Sequence, residues 1–228
     1  MIIKVCGMRD AENIHAVSEL GIDLLGFIFW PKSPRYVGMV SSQAGIMPDY
    51  SHLGRPGTKE KGNPTVKRVG VFVDDMPQNI VTRVYNYQLD YVQLHGNESR
   101  VMIENLRRTL DPDIRKDIKI IKAISIASEA DLGKCDAYEG AVDMFLFDTK
   151  TPLLGGSGNQ FDWTVLADYK GETPFLLSGG IGPDDVERIR CFHHPRFVGI
   201  DLNSRFEKEP GVKDVEKLRT FINKLRDE

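Results

Sequence analysis

The stretch MIIKVCGMRDAENIHAVSEL, residues 1–20, places a short apolar run directly before a segment of helical character. The run is IIKV, residues 2–5, and Cys6 and Gly7 stand where it ends. Short runs rich in Ile and Val are typical of strands that are buried on both faces of a parallel sheet. The stretch therefore predicts one strand followed by one helix, with a thiol at their junction.

The same unit recurs along the whole chain. Eight apolar runs predict strands at 2–5, 24–29, 68–73, 91–94, 118–124, 144–147, 174–178 and 197–201. Amphipathic stretches predict helices at 10–20, 77–88, 98–110, 128–138, 161–168, 183–191 and 213–226. Eight strand-helix units in 228 residues predict an α/β fold, a single (β/α)8 TIM barrel over 1–228. A doubly wound open sheet remains the alternative here, because periodicity does not distinguish a closed sheet from an open one.

A long gap separates the second and third predicted strands. It contains DYSHLGRPGTKEKGNPTVK, residues 49–67, which is rich in Gly, Pro and Lys and has little apolar periodicity. Such composition is typical of a surface loop. We therefore expect a mobile loop at about 48–65 inside the single domain.

Composition and charge limit the kinds of partner. Hydrophobic residues make up 41% of the chain and charged residues 28%, as in an ordinary soluble globular protein. No apolar stretch approaches the roughly 20 residues that span a bilayer, so we expect no membrane partner. The formal net charge of −3, with interspersed signs, offers no basic surface for nucleic acid. A small-molecule partner fits this composition better.

The N-terminus and the cysteines indicate the compartment. The chain enters an apolar strand within two residues, without the basic start and longer apolar run of a secretory signal, which predicts a cytoplasmic protein. Its cysteines are Cys6, Cys135 and Cys191, an odd number without C-x-x-C spacing. Neither a disulfide framework nor a metal site is predicted from them.

Polar and glycine residues gather just after the predicted strands, where the active sites of barrels lie. These positions are Cys6-Gly7, 29–35, 73–75, His95-Gly96, Ser125, 148–150, Gly179-Gly180 and 201–204.

The segment SGGIGPDD, 178–185, sets glycines before a helix in which Pro183 is expected in the first turn, and the N–H groups of such a turn suit an anion. Loops seven and eight form the usual phosphate site of barrel enzymes. Phosphate contacts are predicted at Gly179, Gly180, Asp201, Asn203 and Ser204. The alternative is that the glycines merely make a tight turn.

Several motifs, taken together, resemble one family. They are KVCGM (4–8), GFIFWPKSPRYV (26–37), RVGVFVD (68–74), YVQLHGNE (91–98), FDTKTPLLGGSGNQFDW (147–163) and LLSGGIGPDDV (176–186). In this order they resemble phosphoribosylanthranilate isomerase of tryptophan biosynthesis. The resemblance implies an Amadori rearrangement of N-(5'-phosphoribosyl)anthranilate to 1-(2-carboxyphenylamino)-1-deoxyribulose 5-phosphate. It implies no metal or organic cofactor and a phosphosugar substrate. The oligomeric state stays open between a monomer and a homodimer.

The resemblance also implies two catalytic residues, Cys6 as general base and Asp148 as general acid. Opening the furanose requires a proton on the ring oxygen, and a carboxyl shielded from water can stay protonated to supply it. The resulting Schiff base acidifies the sugar C2' hydrogen, which a partly ionised thiol can remove. A thiol of ordinary pKa needs a cation or oriented amides for this role. We expect Lys4 not to be that cation, but to lie deeper in the barrel and pair with a buried carboxylate.

Two further residues match the family's substrate site. Arg35 offers a planar charged fork for the anthranilate carboxylate or for orienting Cys6, and a solvated loop arginine is the alternative. His95 ends the fourth strand and is expected to line the pocket, unless it is only a hydrogen-bonded wall residue. Gly155–Gly158 resemble a flexible sixth loop that closes over substrate, with a plain linker as the alternative.

The eighth loop departs from the family pattern D-x-S-S-G-V-E. This chain reads DLNSRFE over 201–207, so that Arg205 replaces a glycine, while Asn203 tolerates a left-handed backbone.

Two other functions stay open. The related histidine-pathway aminoaldose isomerase relies on two aspartates, and a cysteine after the first strand disfavours it. A barrel that binds a phosphorylated ligand without turnover is disfavoured because an acid and a base are both present.

Overall fold

Eight parallel strands close into a barrel in chain order. The computed structural model describes residues 1–38, 66–111, 113–149 and 163–226. The strands are β1 Ile2–Val5, β2 Leu24–Ile28, β3 Lys67–Phe72, β4 Tyr91–Leu94, β5 Lys119–Ile126, β6 Met144–Thr149, β7 Phe175–Ser178 and β8 Phe197–Leu202. Strand β1 pairs with β8 as well as with β2. The predicted (β/α)8 barrel is confirmed, and the open-sheet alternative is wrong.

Helices follow most of the strands and cover the outside of the barrel. The α-helices are α1 Ala11–Ser18, α2 Pro77–Tyr87, α3 Arg100–Leu110, α4 Val186–Arg190 and α5 Val215–Arg226. The segments Glu129–Ala137, Trp163–Asp168 and Ser204–Phe206 are 3-10 helices. Residues 128–138 were predicted as a helix and form a capped 3-10 helix instead of an α-helix.

The helix predicted at 183–191 begins later than expected. Pro183 lies in a turn, and α4 starts at Val186. The cause is local, because the Asp185 carboxylate accepts a 2.8 Å hydrogen bond from the Gly182 N–H and closes the turn ahead of the helix. The placement of Pro183 in the first helical turn was therefore wrong.

A short hairpin that periodicity did not predict lies between β8 and α5. Strand β9 Glu207–Glu209 pairs antiparallel with β10 Val212–Lys213. Gly211 has φ +89 in the connecting turn, a conformation that favours glycine. Residues 213–226 were predicted as one helix, but Lys213 belongs to β10. The hairpin brings Glu207 and Lys213 beside the end of β1.

The barrel interior is packed with apolar side chains. The inner cluster consists of Leu24, Val69, Ile121, Ala123, Met144, Leu146 and Leu176. A larger cluster fills the layer between strands and helices. Because the interior is filled rather than open, a ligand of this barrel binds at one end of it.

Some predictions concern other parts of the chain. The loop at about 48–65 and the segment Gly155–Gly158 lie outside the described residues, and the extent of the single domain over 1–228 stays a prediction. In the ranges that the structure describes, no helix combines the length and apolar character that a membrane crossing requires.

Candidate active site

A cavity of about 220 Å³ opens at the carboxyl ends of the strands. Its lining residues are Cys6, Ile28, Val71, Gln93, His95, Asp148, Ser178, Gly179, Gly180, Ile181, Asp201, Asn203 and Ser204. Every site residue predicted from the sequence is among them except Arg35. The closure of the barrel thus brings together residues in or directly after seven of the eight strands, which are far apart in the sequence.

Cys6 sits in a space that a glycine of the neighbouring strand provides. A Cβ atom at Gly26 on β2 would lie 2.7 Å from the Cys6 Sγ, closer than such atoms approach. The Cys6 N–H donates a 2.9 Å hydrogen bond to the carbonyl of Leu202 on β8. These contacts hold the thiol at the cavity wall, with 3% of the residue exposed.

Charges of both signs surround the thiol. Burial raises the pKa of Cys6 above its ordinary value, and Asp201 adds to the increase, while Lys4 and Lys213 act in the opposite direction. The expectation that Lys4 does not act on the thiol was wrong. Its ammonium faces Cys6 from inside the barrel, because residues 4 and 6 lie on the same face of the strand.

Lys4 and Asp201 form a buried ion pair below Cys6. Lys4 Nζ lies 2.9 Å from Asp201 Oδ1, and neither side chain is more than 6% exposed. Ser178 Oγ donates a 3.2 Å hydrogen bond to the same carboxylate. Burial opposes the charge of Lys4, but Asp201 and Cys6 outweigh it, so the pKa of Lys4 is raised. The expected buried carboxylate partner of Lys4 is therefore present.

This pairing disfavours the predicted phosphate contact of Asp201. Its carboxylate carries negative charge and is already engaged by Lys4 and Ser178. A phosphate placed against it meets charge of its own sign. The side chain of Asp201 instead supports Lys4.

Asp148 and His95 face each other on another side of the cavity. His95 Nε2 lies 3.5 Å from Asp148 Oδ2, and their side chains are 31% and 16% exposed. The backbone N–H of His95 donates a 2.8 Å hydrogen bond to the carbonyl of Phe72 on β3. This bond fixes the start of the loop after β4. An imidazole and a carboxyl at this separation can exchange a proton through a small movement.

Arg35 lies beside the cavity in a network that sequence reasoning missed. Its Nε and Nη2 donate hydrogen bonds of 2.8 and 2.6 Å to the carboxylate of Glu207. Lys213 Nζ donates to Glu207 Oε1 at 2.7 Å and to Asn203 Oδ1 at 2.8 Å. Burial opposes the charge of Glu207, but Arg35 and Lys213 lower its pKa to about 2. The acidic end of DLNSRFE was a signal for Glu207, whereas nothing local indicated Lys213.

The seventh loop makes a tight backbone turn with free space around it. Gly179 and Gly180 have φ of +100 and +68, in the region that favours glycine. A Cβ at Gly180 would meet no atom within 4 Å, so backbone conformation rather than crowding calls for glycine there. The turn lines the cavity and leaves space above it for a ligand.

The eighth loop contains the residues that depart from the family pattern. Asn203 has φ −144 and ψ −106, so it does not use the left-handed backbone that asparagine tolerates. Arg205 is exposed, and a Cβ at Gly182 would lie 3.7 Å from its Cβ, which places it beside the seventh loop rather than among the cavity-lining residues. Ser204 begins a 3-10 helix and lines the cavity.

Fold and site together define a class of protein. A closed eight-stranded barrel carries a thiol, a carboxyl, an imidazole and a glycine turn around one cavity at the carboxyl ends of its strands. This is the arrangement of a (β/α)8-barrel enzyme that performs acid-base chemistry. The family model described as N-(5'-phosphoribosyl)anthranilate (PRA) isomerase matches residues 3–224. The chain belongs to this family, and it is an isomerase of tryptophan biosynthesis.

Individual relatives agree with this assignment. The N-(5'-phosphoribosyl)anthranilate isomerase of Parabacteroides distasonis is 47% identical over 99% of this chain and 93% of the relative. The crystal structure of the Thermotoga maritima enzyme is 33% identical, with a TM-score of 0.73 over 99% of both chains. A phosphoribosyl anthranilate isomerase structure in complex with reduced 1-(o-carboxyphenylamino)-1-deoxyribulose 5-phosphate is 28% identical, with a TM-score of 0.72 over 99% of both chains.

Proposed function

We propose that the chain converts N-(5'-phosphoribosyl)anthranilate to 1-(2-carboxyphenylamino)-1-deoxyribulose 5-phosphate, with Cys6 as general base and Asp148 as general acid. The observation that carries the proposal is the shared cavity, in which the thiol at the end of β1 and the carboxyl of β6 meet the glycine turn after β7. The complex of a family member with a reduced form of the same aminoketose phosphate supports a small phosphosugar substrate.

The acid step opens the sugar ring. Protonated Asp148 gives its proton to the furanose oxygen as the C1'–O bond breaks, and the anthranilate nitrogen forms a Schiff base with C1'. His95 lies 3.5 Å from the carboxyl and returns a proton to it for the next turnover. A positioned acid of this kind typically contributes about 10²- to 10⁴-fold in rate.

The base step moves the double bond. The Cys6 thiolate removes the C2' proton, and the C–H electron pair forms the C1'=C2' bond of an enaminol while the iminium charge on nitrogen is neutralised. Return of a proton to C1', with loss of the C2' hydroxyl proton, yields the ketone. Lys4 and Lys213 favour the thiolate, against the effect of burial. No atoms are gained or lost overall, as an isomerisation requires.

The remaining residues bind the ends of the substrate. Backbone N–H groups of Gly179 and Gly180, together with Ser204, contact the phosphate, and Asn203 keeps its amide beside them through its bond to Lys213. Arg35 contacts the anthranilate carboxylate. Its chain lies against the residue after Cys6, since a Cβ at Gly7 would be 2.6 Å from the Arg35 Cδ. To make this contact, the Arg35 guanidinium leaves the Glu207 carboxylate.

The direct test follows the fluorescence of the anthranilate group during turnover. Purified protein mixed with phosphoribosylanthranilate is expected to quench the emission far faster than buffer. The histidine-pathway aminoaldose is offered in a parallel assay. Unchanged emission at micromolar protein would contradict the proposal, whether or not the second substrate is converted.

Two substitutions test the acid and base roles. Cys6→Ser and Asp148→Asn are each expected to lower kcat by at least about 10²-fold, because each removes one proton-transfer group. Cys191→Ser and Asp136→Asn are the matched controls, since both native residues are exposed on the helical layer, and they should leave kcat unchanged. A near-normal kcat for Cys6→Ser would show that another group is the base.

The oligomeric state stays a prediction. The expected monomer or homodimer is distinguished by sedimentation of the purified chain at micromolar concentration.

A further inference from the structure

Gln93 lies on β4 with its side chain at the floor of the cavity. The residue is 1% exposed, and it is among the cavity-lining residues together with Cys6 and Asp148. In the part of the chain that the structure describes, its Oε1 is the one buried side-chain oxygen or nitrogen without a hydrogen-bond partner. Buried polar groups are nearly always paired, so an exception indicates a cost that the fold tolerates for a reason.

The amide nitrogen of Gln93 does not compensate for the unpaired oxygen. Gln93 Nε2 reaches His95 Nδ1 at 3.5 Å, a long contact for a hydrogen bond. Turning the amide by 180° exchanges the two atoms and leaves Nε2 without a partner instead. In either orientation one half of the amide is unpaired, in a residue that lines the cavity.

We infer that Gln93 is a substrate-binding residue whose side-chain carbonyl accepts a hydrogen bond from a hydroxyl group of the ribose chain. This inference rests on the proposed function and adds a contact to it. The phosphate and the carboxylate of the substrate carry no hydrogen to donate at neutral pH, so neither can pair with a carbonyl oxygen. Sugar hydroxyls can, and they lie between the two ends of the molecule.

The position of β4 favours the sugar over the phosphate. In an eight-stranded barrel β4 lies across from β8, and the proposed phosphate site is at the ends of β7 and β8. The proposed acid and base, on β6 and β1, lie between the two sides. A sugar whose C1' and C2' are held between Asp148 and Cys6 therefore extends its hydroxyls toward Gln93. A neutral amide serves this contact without placing a charge beside the proposed acid Asp148.

Replacement of Gln93 separates binding from structure. Gln93→Met keeps a side chain of similar length and removes the unpaired amide. It is expected to weaken binding of reduced 1-(o-carboxyphenylamino)-1-deoxyribulose 5-phosphate about tenfold by calorimetry, the effect of one lost hydrogen bond. The melting temperature without ligand is expected to stay equal or rise, because an unsatisfied buried group has been removed. Gln78→Met, at an exposed position of α2, is the matched control and should change neither value.

The outcomes are distinct. Unchanged affinity for the analogue would overturn the inference. If the melting temperature also fell, Gln93 would have a structural role instead. If Gln93→Met does not fold, Gln93→Leu removes the same amide and is measured in the same way. Because calorimetry requires no turnover, failure of the unsubstituted protein to convert phosphoribosylanthranilate would count against the proposed function alone.

Discussion

At the residue scale, the base role proposed for Cys6 depends on how the thiol is kept ionisable while it is buried. Its thiol is 3% exposed, and burial alone disfavours the thiolate. Lys4 from the same strand and Lys213 from the hairpin oppose that effect, while Asp201 reinforces it. We therefore expect the balance of these charges, rather than exposure to water, to control how readily the thiol ionises.

Lys213→Met tests this balance. Loss of the ammonium should raise the pKa of Cys6 further, so that its alkylation by iodoacetamide at pH 8 slows by about threefold to tenfold. The rate is measured by mass spectrometry in a Cys191→Ser background. Cys135 reacts slowly, because burial raises its pKa to about 12.

Lys208→Met is the matched control, since Lys208 lies exposed on the same hairpin. It should leave the alkylation rate of Cys6 at pH 8 unchanged. A Lys213→Met rate equal to that of the control would show that Lys213 does not act on the thiol.

Sequence reasoning at this scale succeeded where a residue's position along one strand was sufficient. Cys6 and Asp148 end strands that apolar runs reveal, and their shared cavity follows from the barrel. Lys213 could not be found in this way, because a lysine near a helix start is expected in solvent. Only its contacts with Glu207 and Asn203 show that it is buried in the site.

At the element scale, short turns and the hairpin shape the cavity more than the long helices do. The hairpin is tied to helix α1 by a reciprocal pair of hydrogen bonds between the Asn13 side chain and the backbone of Lys213, of 2.8 and 2.9 Å. The carboxylate of Glu207 also accepts the N–H of Gly211 in the hairpin turn at 3.1 Å. Together with the Arg35–Glu207 hydrogen bonds, these contacts fix the loops after β1, β2 and β8 relative to one another.

Gly180→Ala tests the seventh turn. Alanine must adopt φ near +68 there, which costs about 1–2 kcal/mol, although no atom blocks its Cβ. Urea unfolding should report a loss of that size, and the KM for phosphoribosylanthranilate should rise if the turn binds phosphate.

Gly133→Ala provides the comparison, because Gly133 is exposed and its Cβ would also meet nothing within 4 Å. Gly133 is not among the positive-φ glycines of the described residues, so alanine is expected to be neutral or slightly stabilising. Equal effects of the two substitutions would contradict the role assigned to backbone conformation at Gly180.

Glu207 should make the stability of the hairpin depend on pH. Its pKa falls from about 4.5 in the unfolded chain to about 2 in the fold, so the folded state is favoured above the unfolded value. That contribution is lost as the pH falls from about 5 toward 2. In Glu207→Gln, the free energy of unfolding is expected to decline less over this interval.

Glu209→Gln, at an exposed position of the same hairpin, should retain the full decline. The measurement is urea unfolding at intervals of half a pH unit. Parallel curves for both variants would show that the Glu207 network does not stabilise the native state.

At the scale of the whole molecule, closure of the barrel creates contacts between the two ends of the chain. Strand β1 pairs with β8 over Ile2–Val5. The Lys4–Asp201 pair lies inside this seam, and its partners are 197 positions apart in the sequence. The seam places the proposed base of β1 next to the eighth loop. An open sheet would separate these groups.

Lys4→Met tests the seam. It leaves the Asp201 carboxylate buried without its cation, which typically costs about 3–5 kcal/mol. Urea unfolding should report a loss in that range. The double variant Lys4→Met with Asp201→Leu removes both charges and should recover most of it. A double variant no more stable than Lys4→Met would contradict this account of the pair.

The sequence by itself determined the number of strands along the chain, the parallel α/β sheet they imply, and the strand ends at which polar and glycine residues gather. Apolar runs and glycine turns are local signals, because a strand buried on both faces requires consecutive apolar residues and a tight turn requires glycine at particular positions. Only the tertiary structure decided that the sheet closes, that Lys4 and Lys213 act together on Cys6, that Glu207 holds Arg35, and that Gln93 is buried with half its amide unpaired. Those facts depend on which distant side chains meet, and partners meet only when packing of the complete barrel brings them within a few ångströms.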